Sequence, residues 1–209
     1  MSWWDGYRTG DRAGLVSGAL ELVDRGWPVM PGTYWQTDRW AGIPDAPRSG
    51  PVPVLTLGAV GASRDPRTVR AWWSELPYAV LVATGSVVDV IEVSALVGRR
   101  LCERLPDLSA PVGTSSTGRW WFAVGPGEAL RPELASRGDV TLYGRGSWVV
   151  APPTCLPDGH VRWRNPLAGE WTLPDTYDVQ VALLDVLGQR PVFACSAAAA
   201  GTVATGVHS

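Results

Sequence analysis

The spacing of hydrophobic positions changes period several times along the chain, and each change marks an element. Between Asp11 and Arg25, the apolar residues Leu15, Ala19, Leu22 and Val23 recur at helical spacing. Asp11 is the candidate N-cap of that helix and Gly26 its stop. Trp27-Pro28-Val29-Met30-Pro31 reads as a short strand bounded by prolines. From residue 32 to 60, glycine and proline return too often for a regular element of any length. A loop this long is usually a functional cover or a loose connection. Asp65-Pro66 then gives a cap followed by proline at the first helical position. Val69, Trp72 and Trp73, at i, i+3 and i+4, form the apolar face of that helix, and Pro77 ends it.

The densest apolar stretch is residues 79–94, AVLVATGSVVDVIEVS. Two runs of small and β-branched residues flank Thr84-Gly85-Ser86 and read as strands buried in a sheet. Asp89 and Glu92 interrupt the second run, and a carboxylate in such surroundings must be paired, hydrogen-bonded or metal-bound. Either the two acids form a functional pair, or both lie near strand ends and reach solvent or an arginine. Ser94 caps a helix running to about Leu105, with Leu96, Val97, Leu101 and Leu105 inward. Arg99, Arg100 and Arg104 fall on its other side, as a solvated face or as phosphate contacts. The polar turn Thr114-Ser115-Ser116-Thr117-Gly118 leads into an aromatic strand over 119–124. A short helix over 128–137 ends at Gly138. Residues 140–143 and 148–151 read as neighbouring strands joined by Gly144-Arg145-Gly146-Ser147. Asp158-Gly159 is a turn into an edge strand over 161–164. Residues 177–187 supply the last helix, with Val179, Ala182, Leu183 and Val186 inward.

This order of elements predicts an α+β domain over 11–190, a flexible arm over 1–10 and a disordered tail over 191–209. With 209 residues the chain is long enough to bury a core of its own. All 18 basic residues are arginine, and alanine, glycine, valine and proline abound. A high-GC bacterial coding bias produces that composition, so the arginine count by itself says little about phosphate. The net charge of −2 argues against a broadly basic nucleic-acid surface and leaves room for a local patch. Cys102, Cys155 and Cys195 are widely spaced and outside any C-x-x-C pattern, which suits a reduced, cytoplasmic chain without disulfide or zinc. Cys155 and His160 together supply only two of the roughly four ligands a structural zinc requires, and His208 lies in the tail. The first ten residues lack the apolar core of a signal peptide. No apolar run approaches the roughly twenty residues of a membrane span.

The sequence of motifs resembles the bifunctional DNA primase/polymerase N-terminal (prim-pol) family. The likeness rests on Arg25-Gly26-Trp27-Pro28-Val29, the proline-rich loop, the Asp65-Pro66 helix with Trp72-Trp73, and Ala83-Thr84-Gly85. It continues through Asp89-Val90-Ile91-Glu92-Val93-Ser94, Thr114-Ser115-Ser116-Thr117-Gly118-Arg119-Trp120 and Thr141-Leu142-Tyr143. It ends with Gly146-Ser147-Trp148-Val149-Val150-Ala151-Pro152-Pro153-Thr154 and Gly159 through Trp163. The resemblance covers about residues 11–170. It implies a prim-pol-like fold, a mixed or antiparallel central sheet flanked by helices.

In that family two carboxylates at i and i+2 of one strand, with a third acid on a neighbouring strand, are expected to hold two divalent metals. Residues i and i+2 share a face of a strand, so both can grip the ions that clamp a phosphoryl transfer. A histidine after the polar turn is expected to hold the triphosphate. Here Glu92 occupies the first acid's place, Ser94 replaces the second, Thr141 falls near the third and Trp120 stands for the histidine. Asp89, at i−3 from Glu92, faces the other way. Asp139 could restore the third acid in a shifted register.

Two expectations follow. In one, the chain is a stand-alone, catalytically decayed module that presents a cleft between two sheets to a nucleotide, a nucleic acid or a protein. Ser116, Thr117, Gly118, Arg119 and Trp120 are then the nucleotide-binding candidates, although the turn also reads as an ordinary polar one. In the other, it remains a nucleotidyltransferase using Glu92 with Asp89 or Asp139 and Mg²⁺ or Mn²⁺. Any replication role requires a partner protein in trans.

Overall fold

A computed structural model describes residues 12–47, 49–165 and 169–188. The predicted arm over 1–10, the Asp11 cap and the tail over 191–209 lie outside the described residues. Helix α1 (Arg12–Asp24) buries Leu15, Ala19, Leu22 and Val23, the four positions its periodicity selects. Strand β1 (Val29–Gly32) follows. The long loop contains a small hairpin of β2 (Tyr34–Gln36) and β3 (Arg39–Ala41), on which Trp35 and Trp40 meet edge to face. Helix α2 (Pro66–Trp72) starts at Asp65, whose carboxylate accepts from the Arg67 and Thr68 amides.

Strand β4 (Ala79–Ala83) leads to β5 (Asp89–Ser94) and helix α3 (Ala95–Arg104), capped by the Ser94 hydroxyl, which accepts from the Val97 amide at 3.4 Å. Strands β6 (Val112–Thr114) and β7 (Arg119–Val124) flank the polar turn. After the short helix α4 (Pro132–Ala135) come β8 (Thr141–Tyr143), β9 (Trp148–Val150), β10 (Cys155–Leu156), β11 (Gly159–His160) and β12 (Arg162–Trp163). Helix α5 (Thr176–Val186) closes the described fold.

The α+β expectation holds, and all the pairings between named strands are antiparallel. The strands divide between a three-stranded sheet, β1-β4-β9, a five-stranded sheet, β12-β6-β7-β5-β8, and two small hairpins, β2-β3 and β10-β11. This corrects the reading of residues 140–143 and 148–151 as neighbours, since β8 and β9 lie in different sheets. Strands β4 and β5 also belong to different sheets, and the chain crosses between the two larger sheets there, between β8 and β9, and again between β9 and β12. The first two crossovers are fastened together: the Thr84 amide donates to Ser147 O at 3.0 Å and its hydroxyl to Gly144 O at 2.6 Å. A Cβ on Gly85 would stand 2.1 Å from the Arg145 Cα, so only glycine lets the two crossing chains touch.

Alternation along the strands builds the layers. Val80, Val82 and Val149 of the smaller sheet face α1, α2 and the inner face of the larger sheet, where Val90, Trp121 and Ala123 sit. Ile91, Val93, Phe122 and Val124 point the opposite way, onto α3 and α5. Two further corrections concern helices. Residues 128–137 are helical only over Pro132–Ala135, because the preceding segment is tied to α5. There the buried Gln180 amide donates to Ala129 O and accepts from the Arg131 amide. On α3, Leu96 is 60% exposed and Gly98 takes the buried position. Among the described residues no helix is long and apolar enough to cross a membrane.

Candidate functional site

The edge strand β9 of the smaller sheet faces the inner side of β5, β7 and β8 across a cleft of about 430 Å³. That volume lies within the range of small-molecule sites. The polar lining comes from Glu92 on β5, Arg119 on β7, and Ser115 and Thr117 on the turn before it. Trp121, Tyr143, Trp148 and Val161 form much of the apolar wall. Trp148 donates its indole N–H to Pro51 O at 3.3 Å, which fixes the 49–51 segment at the rim. A larger cavity of about 720 Å³ borders Trp35, Arg39, Trp40 and Asp45, but none of the strand motifs reaches it.

Strand register decides which motif residues meet. On β5, Val90, Glu92 and Ser94 share the cleft face, while Asp89 belongs with Ile91 and Val93 on the other. Glu92 lies opposite Trp121 on one side and Thr141 on the other; Ser94 lies opposite Arg119. Glu92, Ser94 and Thr141, the three positions expected from sequence to fall where acids would be, are therefore neighbours. Only one carries a carboxylate, and it is engaged. Glu92 Oε1 accepts from Arg119 Nε at 2.9 Å, both side chains being mostly buried. Ser94 is committed to capping α3.

Asp89 is 2% exposed and does not enter the cleft. One of its oxygens accepts from the Gly127 amide at 2.9 Å, and the other has no partner among the described residues. Asp139 precedes β8 and is held by Arg137 through two contacts, at 2.9 and 2.8 Å. Those hydrogen bonds, more than the further attraction of Arg119, keep its carboxyl below the ordinary carboxylate range. Arg119 reaches the same segment by donating to Asp139 O at 3.3 Å. Tyr143 is half-buried, and burial followed by the Glu92 charge pushes its phenol upward.

The turn candidates separate. Thr117 lines the cleft with Ser115, to which its hydroxyl bonds at 2.6 Å, whereas Ser116 packs against Gly159. Gly118 takes a positive φ of 76° and its carbonyl accepts from the Ala95 amide, tying the turn to α3. Trp120 does not enter the cleft: it projects to the helix side of β7, where its ring meets Gly98. The side chains that β7 sends into the cleft are Arg119 and Trp121. Trp121 lies over Gly113, where no Cβ fits, and its indole N–H is buried without a partner among the described residues. Tyr143, Trp121 and Trp148 were not singled out from sequence; period-two alternation on either side of Arg119 and Thr141 is the signal that points to the first two. Among the described residues no three of His, Cys, Asp and Glu come together as a metal-ligand group.

The family model described as bifunctional DNA primase/polymerase, N-terminal, matches residues 19–179. The chain belongs to the prim-pol family. No curated protein matches it. The prim-pol match takes in both sheets and the cleft, so the geometry above is that of a primase/polymerase-like domain. A two-metal centre in this prim-pol chain would require several anionic oxygens on the cleft face. The donor set offers Glu92 alone, already neutralised by a guanidinium, beside two hydroxyl positions, and these residues do not fit a pair of divalent cations.

Proposed function

We propose that this prim-pol domain uses its cleft to bind a nucleotide or the end of a nucleic acid without polymerising it. The observation that carries the reading is the Glu92–Arg119 ion pair at 2.9 Å, on a face whose other two acid positions are Ser94 and Thr141. A phosphoryl transfer concentrates negative charge that metal ions neutralise, and neutral hydroxyls cannot assemble those ions. The same constellation suits binding. Arg119 can exchange Glu92 for a phosphate, and Ser115 and Thr117 offer hydroxyls. Tyr143 and Trp148 supply aromatic wall for a base. A replication partner acting in trans would supply whatever chemistry accompanies the bound ligand.

The test is a template-dependent extension assay with labelled nucleotides and Mg²⁺ or Mn²⁺, run beside thermal shifts with nucleoside triphosphates. The expected result is a nucleotide-dependent rise in Tm that Arg119→Ala abolishes, with no extended product. Product that disappears in Glu92→Ala would establish a polymerase instead. The absence of any shift with any nucleotide would leave protein binding as the cleft's role.

A further inference from the structure

The opposite face of the larger sheet carries arginines that the cleft does not use. Strand β12 alternates around Trp163, which packs inward against Trp121 with ring centroids 5.2 Å apart. Arg162 and Arg164, on either side of Trp163, are exposed. In the register Arg162 pairs with Thr114, and Thr114 pairs with Trp120, so the three form a row across β12, β6 and β7. The Arg164 guanidinium covers the Trp120 ring 5.5 Å from its centroid. The half-buried indole also abuts Gly98 of α3, and the next residue, Arg99, is exposed.

Charge at this face is not cancelled internally. Among the described residues Arg99, Arg162 and Arg164 form no ion pair, whereas Arg104 further along α3 is bound to Asp185 at 2.7 Å. Glu103 is the acid that shares this neighbourhood, acting with Arg164 on the Cys102 thiol. Since the whole chain carries a net −2, the positive charge here is local. Alternate positions on an extended strand stand about 6.7 Å apart, a spacing comparable with that of successive phosphates on an extended strand. A guanidinium over an indole places a cation and two planar π-surfaces together, and nucleobases stack on such groups.

We propose that this outer face binds single-stranded nucleic acid, with Arg162 and Arg99 against phosphates and a base stacked on the Arg164–Trp120 layer. The site is separate from the cleft and does not depend on what the cleft binds. Its location next to the Ser115–Gly118 turn, which also borders the cleft, lets one strand engage both.

Fluorescence anisotropy with a labelled oligonucleotide over a salt series tests the proposal on the full chain. Replacing both arginines (Arg162→Ala with Arg164→Ala) is expected to weaken binding about tenfold or more. It should also lower the slope of log affinity against log salt by about 0.7, the release expected from the one phosphate that Arg162 holds on a single strand. Arg164→Lys, which keeps the charge and discards the plane, is expected to retain the slope and lose severalfold in affinity. Polyphosphate binding should be unaffected by that change. Far-UV circular dichroism and Tm establish that the variants are folded. A double variant that binds as the wild type does overturns the proposal, as does an Arg164→Lys variant indistinguishable from wild type. Complete loss of oligonucleotide binding in Arg119→Ala alone also overturns it, by assigning the strand to the cleft. A cleft that gives no nucleotide shift while oligonucleotide binding still depends on Arg162 and Arg164 would sink the cleft reading and leave this one standing.

Discussion

Asp89 and Glu92 sit three residues apart on β5 and meet opposite environments because a strand turns alternate side chains to opposite faces. Glu92 finds a guanidinium, while Asp89 finds one backbone amide and is otherwise enclosed. A buried carboxylate with a single donor is an uncomfortable group, and its tie to Gly127 is what it contributes. Asp89→Asn keeps an oxygen to accept that bond and removes the buried charge, so its stability is expected to fall within about 1 kcal/mol of wild type. Asp89→Ala removes the acceptor, strands the Gly127 amide and opens a void, and is expected to cost about 2–3 kcal/mol. Urea denaturation at constant m-value separates the two. At the α2 cap, the Thr68 hydroxyl first, and then the Thr68 and Arg67 amides, hold the Asp65 carboxyl below its ordinary value of 3.8. A carboxyl depressed in the folded state stabilises fully above its unfolded value and loses that contribution as pH falls through the depressed one. Asp65→Ser retains a capping oxygen that does not titrate. Its Tm should therefore decline less than wild type between about pH 4 and pH 2, and parallel acid limbs would remove the cap from the account.

At the scale of elements, the point where the chain changes sheets is the least forgiving. Thr84 and Gly85 lie against Ser147, Gly144 and Arg145 of the second crossover, and Gly85 has φ of 95°. Gly85→Ala must displace backbone and strain its own conformation, so a loss of about 3 kcal/mol or more is expected in chemical denaturation. Exposed Gly127, with φ of 107° and open space around it, should respond to the same change with backbone strain alone and a smaller loss. The crossovers also mark what the sequence conceals. Leu15, Ala19, Leu22 and Val23 declare α1, and Asp65-Pro66 declares α2, because caps and helical periods are local. Partnership between strands is not. A buried strand reads the same whether its sequence neighbour lies beside it or in the next sheet, and so β8 and β9 looked adjacent. The phase of α3 was likewise decided from outside, by Gly98 against the Trp120 ring, which left Leu96 in solvent. In the site, alternation from Glu92 through Ser94 was legible and held. Motif alignment assigned Trp120 to the cleft, although the same alternation assigns Arg119 and Trp121 there.

Across the whole molecule, two sheets meet so that Glu92, Ser94 and Thr141 lie side by side, one carboxylate beside two hydroxyls. Ser94 and Thr141 remain where carboxylates would be useful. Aspartate caps a helix as well as serine does, so Ser94→Asp should keep α3 anchored while returning an oxygen anion to the face of Glu92. Thr141→Asp adds a third from the adjacent strand, at a cost of up to about 1 kcal/mol in strand propensity. Three carboxylates outweigh one guanidinium, and the balance of charge at Arg119 then turns in favour of a cation. The double variant is expected to bind Mn²⁺ at least about tenfold more tightly than wild type in calorimetry or paramagnetic titration, because affinity for hard cations follows the number of charged oxygens. Adding Glu92→Gln should reverse the gain, since the designed site needs the carboxylate already present. If the wild-type protein already binds Mn²⁺ as tightly as the double variant, the cleft holds its cation by groups other than this row, and Glu92 with Arg119 has been assigned the wrong part. If the double variant gains metal but extends no primer, the missing piece lies on β7, where Arg119 and Trp121 occupy the face that a triphosphate would approach.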